Sequence, residues 1–371
     1  MQYTTIEKLG VRPSRLGFGC MRLPTTPEGL IDEPRAAAMI DRAIKAGVNY
    51  FDTAYFYHNR QSEAFVGKTL ANYPRESFYL ATKLPLSMIS SLDEAKEIYR
   101  GQLERLRVDY VDFYLLHAIN GKRWPEIRDN GVLDFLLEEQ KAGRIRHLGF
   151  SFHDNYEAFE EIITARDGDF CQIQFNYMDI DTQAGMKGYE LAKARGEPVI
   201  VMEPVKGGSL ATLSDEVTAP MRAARPDKSV ASWAMRWVGS LDNCRVILSG
   251  MSTEEQVEDN LATFAQFEPL SEREQEIVAQ VREAIHARQF VGCTNCRYCM
   301  PCPFGVDIPG NFSVMNSYAM YGNEGRLRGW WNEAKEEERA SACQRCGKCE
   351  AVCPQGIAIR DRLAEVAAQM A

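Results

Sequence analysis

Eight times between Pro13 and Phe264 a short β-branched or aromatic run is followed by a segment of helical period. The runs are "PSRLGFG", "VNYFDTA", "SFYLATKL", "YVDFYLLH", "IRHLGFS", "FCQIQFNY", "PVIVME" and "CRVILSG". The first helix begins near Glu33, in "DEPRAAAMIDRAIKAG", and the last is "STEEQVEDNLATF". Strands that alternate with helices pair in parallel, because each helix carries the chain back across the sheet. Eight such units in about 250 residues is the size of a closed (β/α)8 barrel of the α/β class. The competing arrangement, an open doubly wound sheet, would place G-x-G-x-x-G after the first strand. Here that strand ends "GFGCMR", without the third glycine, so the pattern predicts a barrel over residues 1–268.

From Glu268 the alternation stops. "EPLSEREQEIVAQVREAIHARQF" predicts a helical connector over 269–290, and 291–371 reads as a small, mainly α-helical module. A module of about 80 residues has a thin core that a cofactor commonly supplements. Eight of the eleven cysteines lie in it, in "CTNCRYCMPCP" and "CQRCGKCEAVCP". Disulfide frameworks spread their cysteines through small secreted domains, whereas runs at two-residue gaps read as metal ligands. Cys343, Cys346, Cys349 and Cys353 follow C-x2-C-x2-C-x3-C-P, the bacterial spacing for a 4Fe-4S cluster. Cys293, Cys296, Cys299 and Cys302 differ by one residue fewer in the last gap. Zinc ribbons pair C-x2-C knuckles, a plan that two tandem quartets ending in Cys-Pro fit poorly. The region from Phe290 to Leu363 resembles two-cluster ferredoxin modules of the helical type. The resemblance implies two 4Fe-4S clusters whose fourth cysteines cross over. One would sit on Cys293, Cys296, Cys299 and Cys353, the other on Cys343, Cys346, Cys349 and Cys302. Ligation within each quartet stays the alternative.

A net charge of -9 argues against a nucleic-acid partner, which needs a positive footprint. The start, "MQYTTIEKLG", is polar, and no apolar run reaches the roughly eighteen residues of a membrane helix. The expectation is a cytoplasmic protein without a membrane partner.

Catalytic groups of a barrel stand at the C-terminal ends of its strands. Those positions hold Asp52 and Tyr57 after the second strand, Lys83 at the end of the third and His117 at the end of the fourth. A lysine in so apolar a setting needs a partner, since lysines are rarely buried unpaired. Taken together, these residues resemble the aldo-keto reductase family over about Tyr3 to Phe264. "FDTAYFYHNRQSE" is similar to that family's D-T-A-x-x-Y-G-x-S-E signature, "LATKL" supplies its lysine and "LLH" its histidine. The resemblance implies reduction of a small carbonyl substrate by NAD(P)H. Tyr57 would give the proton, Lys83 would lower the phenol's pKa, and Asp52 would hold Lys83 charged. His117 would orient the carbonyl and donate to its oxygen.

Coenzyme positions follow from the same resemblance. Gly19 and Met21 lie in the first loop, Ser151 and Gln172 on the nicotinamide amide, and Asp259 and Asn260 on the adenine side. Departures accompany them. Phe152 replaces the asparagine beside the serine, Met202 stands where an aromatic ring usually stacks, and His58 replaces the glycine after Tyr57. Gly250 and Gln256 replace basic residues that often clamp a 2′-phosphate; Lys206 could compensate. NAD and NADP therefore both stay open. Hydride transfer moves two electrons and each cluster one, so direct coupling of the two would need a splitter such as a flavin; the clusters could instead serve a redox partner protein, a bound flavin, or structure alone. The expectation is an oxidoreductase barrel fused to an iron–sulfur module. The alternative is a non-catalytic nicotinamide-binding sensor or electron-transfer subunit that docks a partner through the tail.

Overall fold

The computed structural model describes residues 1–370. Strands β1 (Leu16–Gly19), β2 (Tyr50–Asp52), β3 (Tyr79–Leu84) and β4 (Val111–Ile119) are followed by β5 (Ile145–Phe152), β6 (Cys171–Gln174), β7 (Val199–Met202) and β8 (Cys244–Gly250). They close into a parallel barrel in the order β1 to β8, with β8 returning to β1. The predicted (β/α)8 architecture is the one observed. Helices at 33–45, 62–70, 92–106, 132–141, 156–164, 185–194, 230–239 and 254–265 follow the strands in turn. Local chemistry starts several of them. Asp32 accepts from the Arg35 amide ahead of a first-turn proline, and Ser91 with Glu94 forms a reciprocal capping box. Helices at 123–129 and 215–224, inside longer connections, are additions to the sequence-based expectation.

Period-2 alternation divides the strand residues between two cores. Outward residues such as Leu80, Tyr114, Leu148 and Ile173 pack under the helices. Inward residues Tyr50, Ala81, Phe113, Leu115, Phe170, Ile200, Val246 and Leu248 fill the barrel. Phe113 makes edge contacts with Tyr50 and Phe170, both at 5.0 Å between centroids. Gly17 points into this filling, and a β-carbon there would lie 2.7 Å from Leu248 and 2.8 Å from Val246. The same parity, carried one layer toward the C-terminal ends, selects Gly19, Asp52, Lys83, His117, Ser151, Gln172, Met202 and Gly250. Register ties them together: Gly19 pairs with Asp52 and Gly250, and Ser151 with Gln172. A plugged barrel thus leaves one polar layer at its mouth.

By compactness the chain divides into Met1–Gly207 with Ala231–Ser271, and Gly208–Val230 with Glu272–Ala371. In the second unit the helix at 272–286 packs on that at 215–224, with Arg288 bonded to Glu216 and to Ser214. Its helices at 308–321, 324–333 and 359–370 bury Ile308, Phe312, Leu327, Ile359, Leu363 and Val366. Two asparagines of the helix at 308–321 anchor the cysteine arms. Asn316 exchanges two 2.9 Å hydrogen bonds with the backbone of Val291, and Asn311 accepts from the Ala340 amide at 2.9 Å. Each cysteine run therefore starts from a pinned backbone.

Candidate active site and cysteine centres

Lys83 lies at the end of β3 with its side chain 1% exposed, so its charge must be compensated. An ammonium has three N–H donors, and all three are used. Nζ donates to Asp52 Oδ1 at 2.6 Å, to the Thr53 carbonyl at 2.9 Å and to the Tyr57 hydroxyl at 3.2 Å. Burial alone would lower the lysine's pKa, but Asp52 and Tyr57 together raise it, so Lys83 stays charged. Its backbone is held as well: Gln102 donates to the Lys83 carbonyl at 3.0 Å and is itself bound by buried Glu63 and by Tyr114. Thr53 and Glu63 lie inside the "FDTAYFYHNRQSE" stretch, whereas nothing in the spacing of the sequence marks Gln102 as a support of the lysine.

Tyr57 stands in the loop after β2, and because its oxygen accepts from Lys83, its own proton is directed elsewhere. Burial lifts the hydroxyl above the ordinary tyrosine pKa, while Lys83 pulls it down by less. The expectation that Lys83 lowers the pKa overall is thus corrected. The ammonium acts in the expected direction, but desolvation is larger. His117, at the end of β4, meets the Tyr57 ring edge-on at 6.2 Å. Burial, then Lys83, then His153, push its pKa down to about 3, so the imidazole is neutral at physiological pH. Its Nδ1 is buried without a partner. The structure brings all four residues together.

The rest of the layer forms a cup beside them. Ser151 Oγ accepts from the Ala118 amide at 2.8 Å, and Gln172 Nε2 lies 3.5 Å from Met202 Sδ. Gln172 Oε1 is buried without a partner, a capacity that a ligand amide would satisfy. These residues fit a nicotinamide at this end of the barrel. Phe152, by contrast, points outward and packs on Phe159 at 5.2 Å, so the departure at that position does not face the cup. His58 accepts from the Leu23 amide at 3.1 Å and so ties the loop after β2 to the loop after β1. Met21 is half exposed at the rim.

Lys206 is held by both oxygens of Asp179, at 2.6 and 2.7 Å. Asp179 is in turn bound by Gln174 at the end of β6 and by Asn176 just after it, whereas Lys206 comes from the connection after β7. Gln256 accepts from the Ser252 amide at 2.7 Å, completing the cap that Thr253 makes on the helix at 254–265. Asn260 donates to Ser249 at 2.9 Å, and Asp259 lies part-buried on the same helix.

The two cysteine runs fold alike. In each, the residues two and four after the first cysteine adopt positive φ: Asn295 and Arg297 in one, Arg345 and Gly347 in the other. Such left-handed residues among right-handed ones turn successive amides into an anion-binding concavity, a form common at iron–sulfur sites. The Arg345 amide already donates to Cys343 Sγ at 3.4 Å. The sulfur-bearing residues divide between two cavities. One is lined by Cys293, Cys296, Cys299 and Cys353. The other is lined by Cys302, Cys343, Cys346 and Cys349, with Cys299 on the wall between. Two cysteine-lined nests fit the chemistry of two iron–sulfur clusters.

An eight-stranded closed barrel with a polar strand-end layer is thus followed in the chain by a cysteine-rich module. The chain belongs to the aldo/keto reductase family, whose pattern it matches over residues 15–283, and a 4Fe-4S dicluster domain matches residues 292–358. It is 32% identical over 161 residues to aldo-keto reductase YhdN of Bacillus subtilis, covering 41% of this chain and 47% of that protein. The chain spans under half the length of YhdN and of a probable aldo-keto reductase 1 of Glycine max. With L-galactose dehydrogenase of Arabidopsis thaliana it shares 25% identity over 305 residues, 77% of this chain and 94% of the other. Among solved structures, the holo form of an aldo-keto reductase from Bacillus halodurans is similar with a TM-score of 0.64 and 25% identity, covering 76% of this chain and 96% of that one.

Proposed function

We propose that the barrel reduces a carbonyl compound to the alcohol, with Tyr57 as proton donor. The observation that carries this reading is Lys83 Nζ bonded to Asp52 Oδ1 at 2.6 Å and Tyr57 Oη at 3.2 Å in the mouth layer. A bound reduced nicotinamide would supply the hydride, and iron–sulfur clusters would supply one-electron transfer. Ser151, Gln172 and Met202 would hold the nicotinamide end, and Asp259 and Asn260 the adenine end. His117, kept neutral, would donate one ring N–H to the carbonyl oxygen without adding charge to the ground state. Tyr57 would then pass its proton to that oxygen. Its raised pKa keeps the proton in place until the oxygen becomes basic. Lys83 would stabilise the phenolate left behind, and a buried Asp52 would keep Lys83 in position.

In the tail, Cys293, Cys296, Cys299 and Cys353 would hold one cluster, and Cys302, Cys343, Cys346 and Cys349 the other. The division of cysteines between the two cavities supports this crossed assignment. A redox partner protein, or a flavin, would exchange electrons with the tail.

The test is turnover. Anaerobically prepared protein is offered NADH or NADPH with a broad panel of aldehydes and ketones, and product alcohol is quantified. Stoichiometric alcohol is expected with some members. A complete absence of reduction by either coenzyme would leave only the non-catalytic reading. Iron analysis of the same preparation should give about eight irons per chain; zinc instead would overturn the tail assignment.

A further inference from the structure

The two cysteine cavities differ in charge, although their runs fold alike. The cavity of Cys302, Cys343, Cys346 and Cys349 is also lined by Arg345, Lys348 and Arg360, and by no acid. Two of these charges are answered: Arg345 pairs with Asp361 at 2.6 Å and Arg360 with Glu350 at 2.7 Å. Lys348, between Gly347 and Cys349, is exposed and enters no ion pair among the described residues. Glu337 lies against Gly305, outside the lining. The cavity of Cys293, Cys296, Cys299 and Cys353 has a single charged residue in its lining, Arg297, faced by Asp307 at 3.9 Å. Its walls include Phe312 and Ile359, each 1% exposed, whereas Phe304 and Val352 on the first cavity are 44% and 52% exposed. Matched positions of the two runs carry the difference. Asn295 and Tyr298 stand in one where Arg345 and Lys348 stand in the other, and the opposite exchange, Arg297 for Gly347, returns only one charge.

We infer that Lys348 sets an order of reduction within the tail: the centre it borders has the higher potential, and holds the electron when the tail carries only one. The inference rests on the two-cluster reading of the tail. Reduction by a one-electron donor adds one negative charge to a centre and oxidises the donor by one, with no bond made or broken and no proton moved. An uncompensated ammonium at the wall stabilises that added charge. A dry, apolar wall disfavours it, because desolvation penalises the more highly charged form. Net charge and solvent exposure are among the levers that set such potentials, and here both favour the same centre.

The experiment is a redox titration of the full chain, prepared anaerobically, with dithionite and mediator dyes, followed by electron paramagnetic resonance. Two one-electron steps are expected. Cys346→Ser should remove or shift the higher step and leave the lower; Cys296→Ser should do the reverse. Lys348→Gln should lower the higher step alone, by roughly threefold to tenfold in electron affinity, or about 30 to 60 mV at 59 mV per tenfold. Lys348→Arg, which keeps the charge, should keep the wild-type value. If Lys348→Gln does not hold iron, the wild type decides: raising salt from about 20 to 500 mM should narrow the gap between the steps by screening the exposed ammonium, and an unchanged gap overturns the inference. A single step for both centres, a higher step that follows Cys296, or a higher step unmoved in Lys348→Gln also sinks it, while the two-cluster reading stands. A preparation that carries zinc, or only about four irons, takes down the two-cluster reading instead.

Discussion

Replacing Lys83 by methionine separates the two roles that the buried ion pair combines. The Lys83 and Asp52 side chains are 1% and 3% exposed, and only 2.6 Å separates Nζ from Oδ1. Methionine preserves most of the volume but leaves the carboxylate desolvated with no counter-charge. Breaking a buried pair from one side costs about 3–5 kcal/mol, because the remaining charge is uncompensated. For a barrel of this size that corresponds to a fall of roughly 6–20 °C in Tm. The deficit has a pH signature. Without Lys83, burial holds the Asp52 pKa above its unfolded value of about 3.9, so the folded state binds the proton more tightly. Stability of the variant is then greatest below that value and is lost as pH rises through the folded pKa. The double variant Lys83→Met/Asp52→Asn removes both charges and should recover most of the loss at pH 7, yet regain no reductase activity. Thermal unfolding followed by far-UV circular dichroism between pH 4 and pH 8, with cluster absorbance recorded in parallel, measures all three proteins. A single variant within about 1 kcal/mol of wild type, or a double variant no more stable than the single one, would refute a buried, mutually dependent pair.

Further outcomes follow from the same geometry. With Tyr57 raised above the ordinary tyrosine value and His117 pushed down to about 3, carbonyl reduction should be flat in pH from about 5 to 9; a titrating limb near pH 6.5 would contradict a neutral His117. Because unfolded histidine takes up a proton below about 6.5 and folded His117 does not, the fold should lose at most about 2 kcal/mol between pH 7 and 5 on this account, a slope that His117→Phe should flatten in denaturant titrations. In the tail, crossed ligation predicts that Cys296→Ser/Cys353→Ser damages one cluster and keeps about four irons, whereas Cys346→Ser/Cys353→Ser damages both. Iron content and low-temperature electron paramagnetic resonance would show the reverse if each quartet served its own cluster.

Much of this was legible in the sequence because it depends on period and spacing. Eight alternations of strand and helix announce a barrel. Parity along each strand then decides that Asp52, Lys83, His117, Ser151 and Gln172 face one mouth while Phe152 faces a helix. Two-residue gaps between cysteines bring them into one loop whatever the rest of the chain does. What escaped depends on contacts between distant connections. No local pattern shows that Asp179 holds Lys206 or that Gln102 holds the Lys83 carbonyl. The balance at Tyr57 is of the same kind: a lysine nearby is readable, but how deeply the hydroxyl is buried is a property of the closed barrel. The helix at 215–224, sitting in a long connection after β7, groups with residues of the C-terminal unit, an association that only packing reveals.

Tyr57 is the proposed acid, and one comparison tests that role most directly. Stoichiometric NADPH and a reducible aldehyde are mixed with wild type and with Tyr57→Phe, and coenzyme oxidation is followed through a single turnover alongside coenzyme affinity. A general acid contributes about 100- to 10,000-fold, so the variant should bind NADPH as wild type does and react slower by that factor. Equal single-turnover rates in the two proteins would contradict the account.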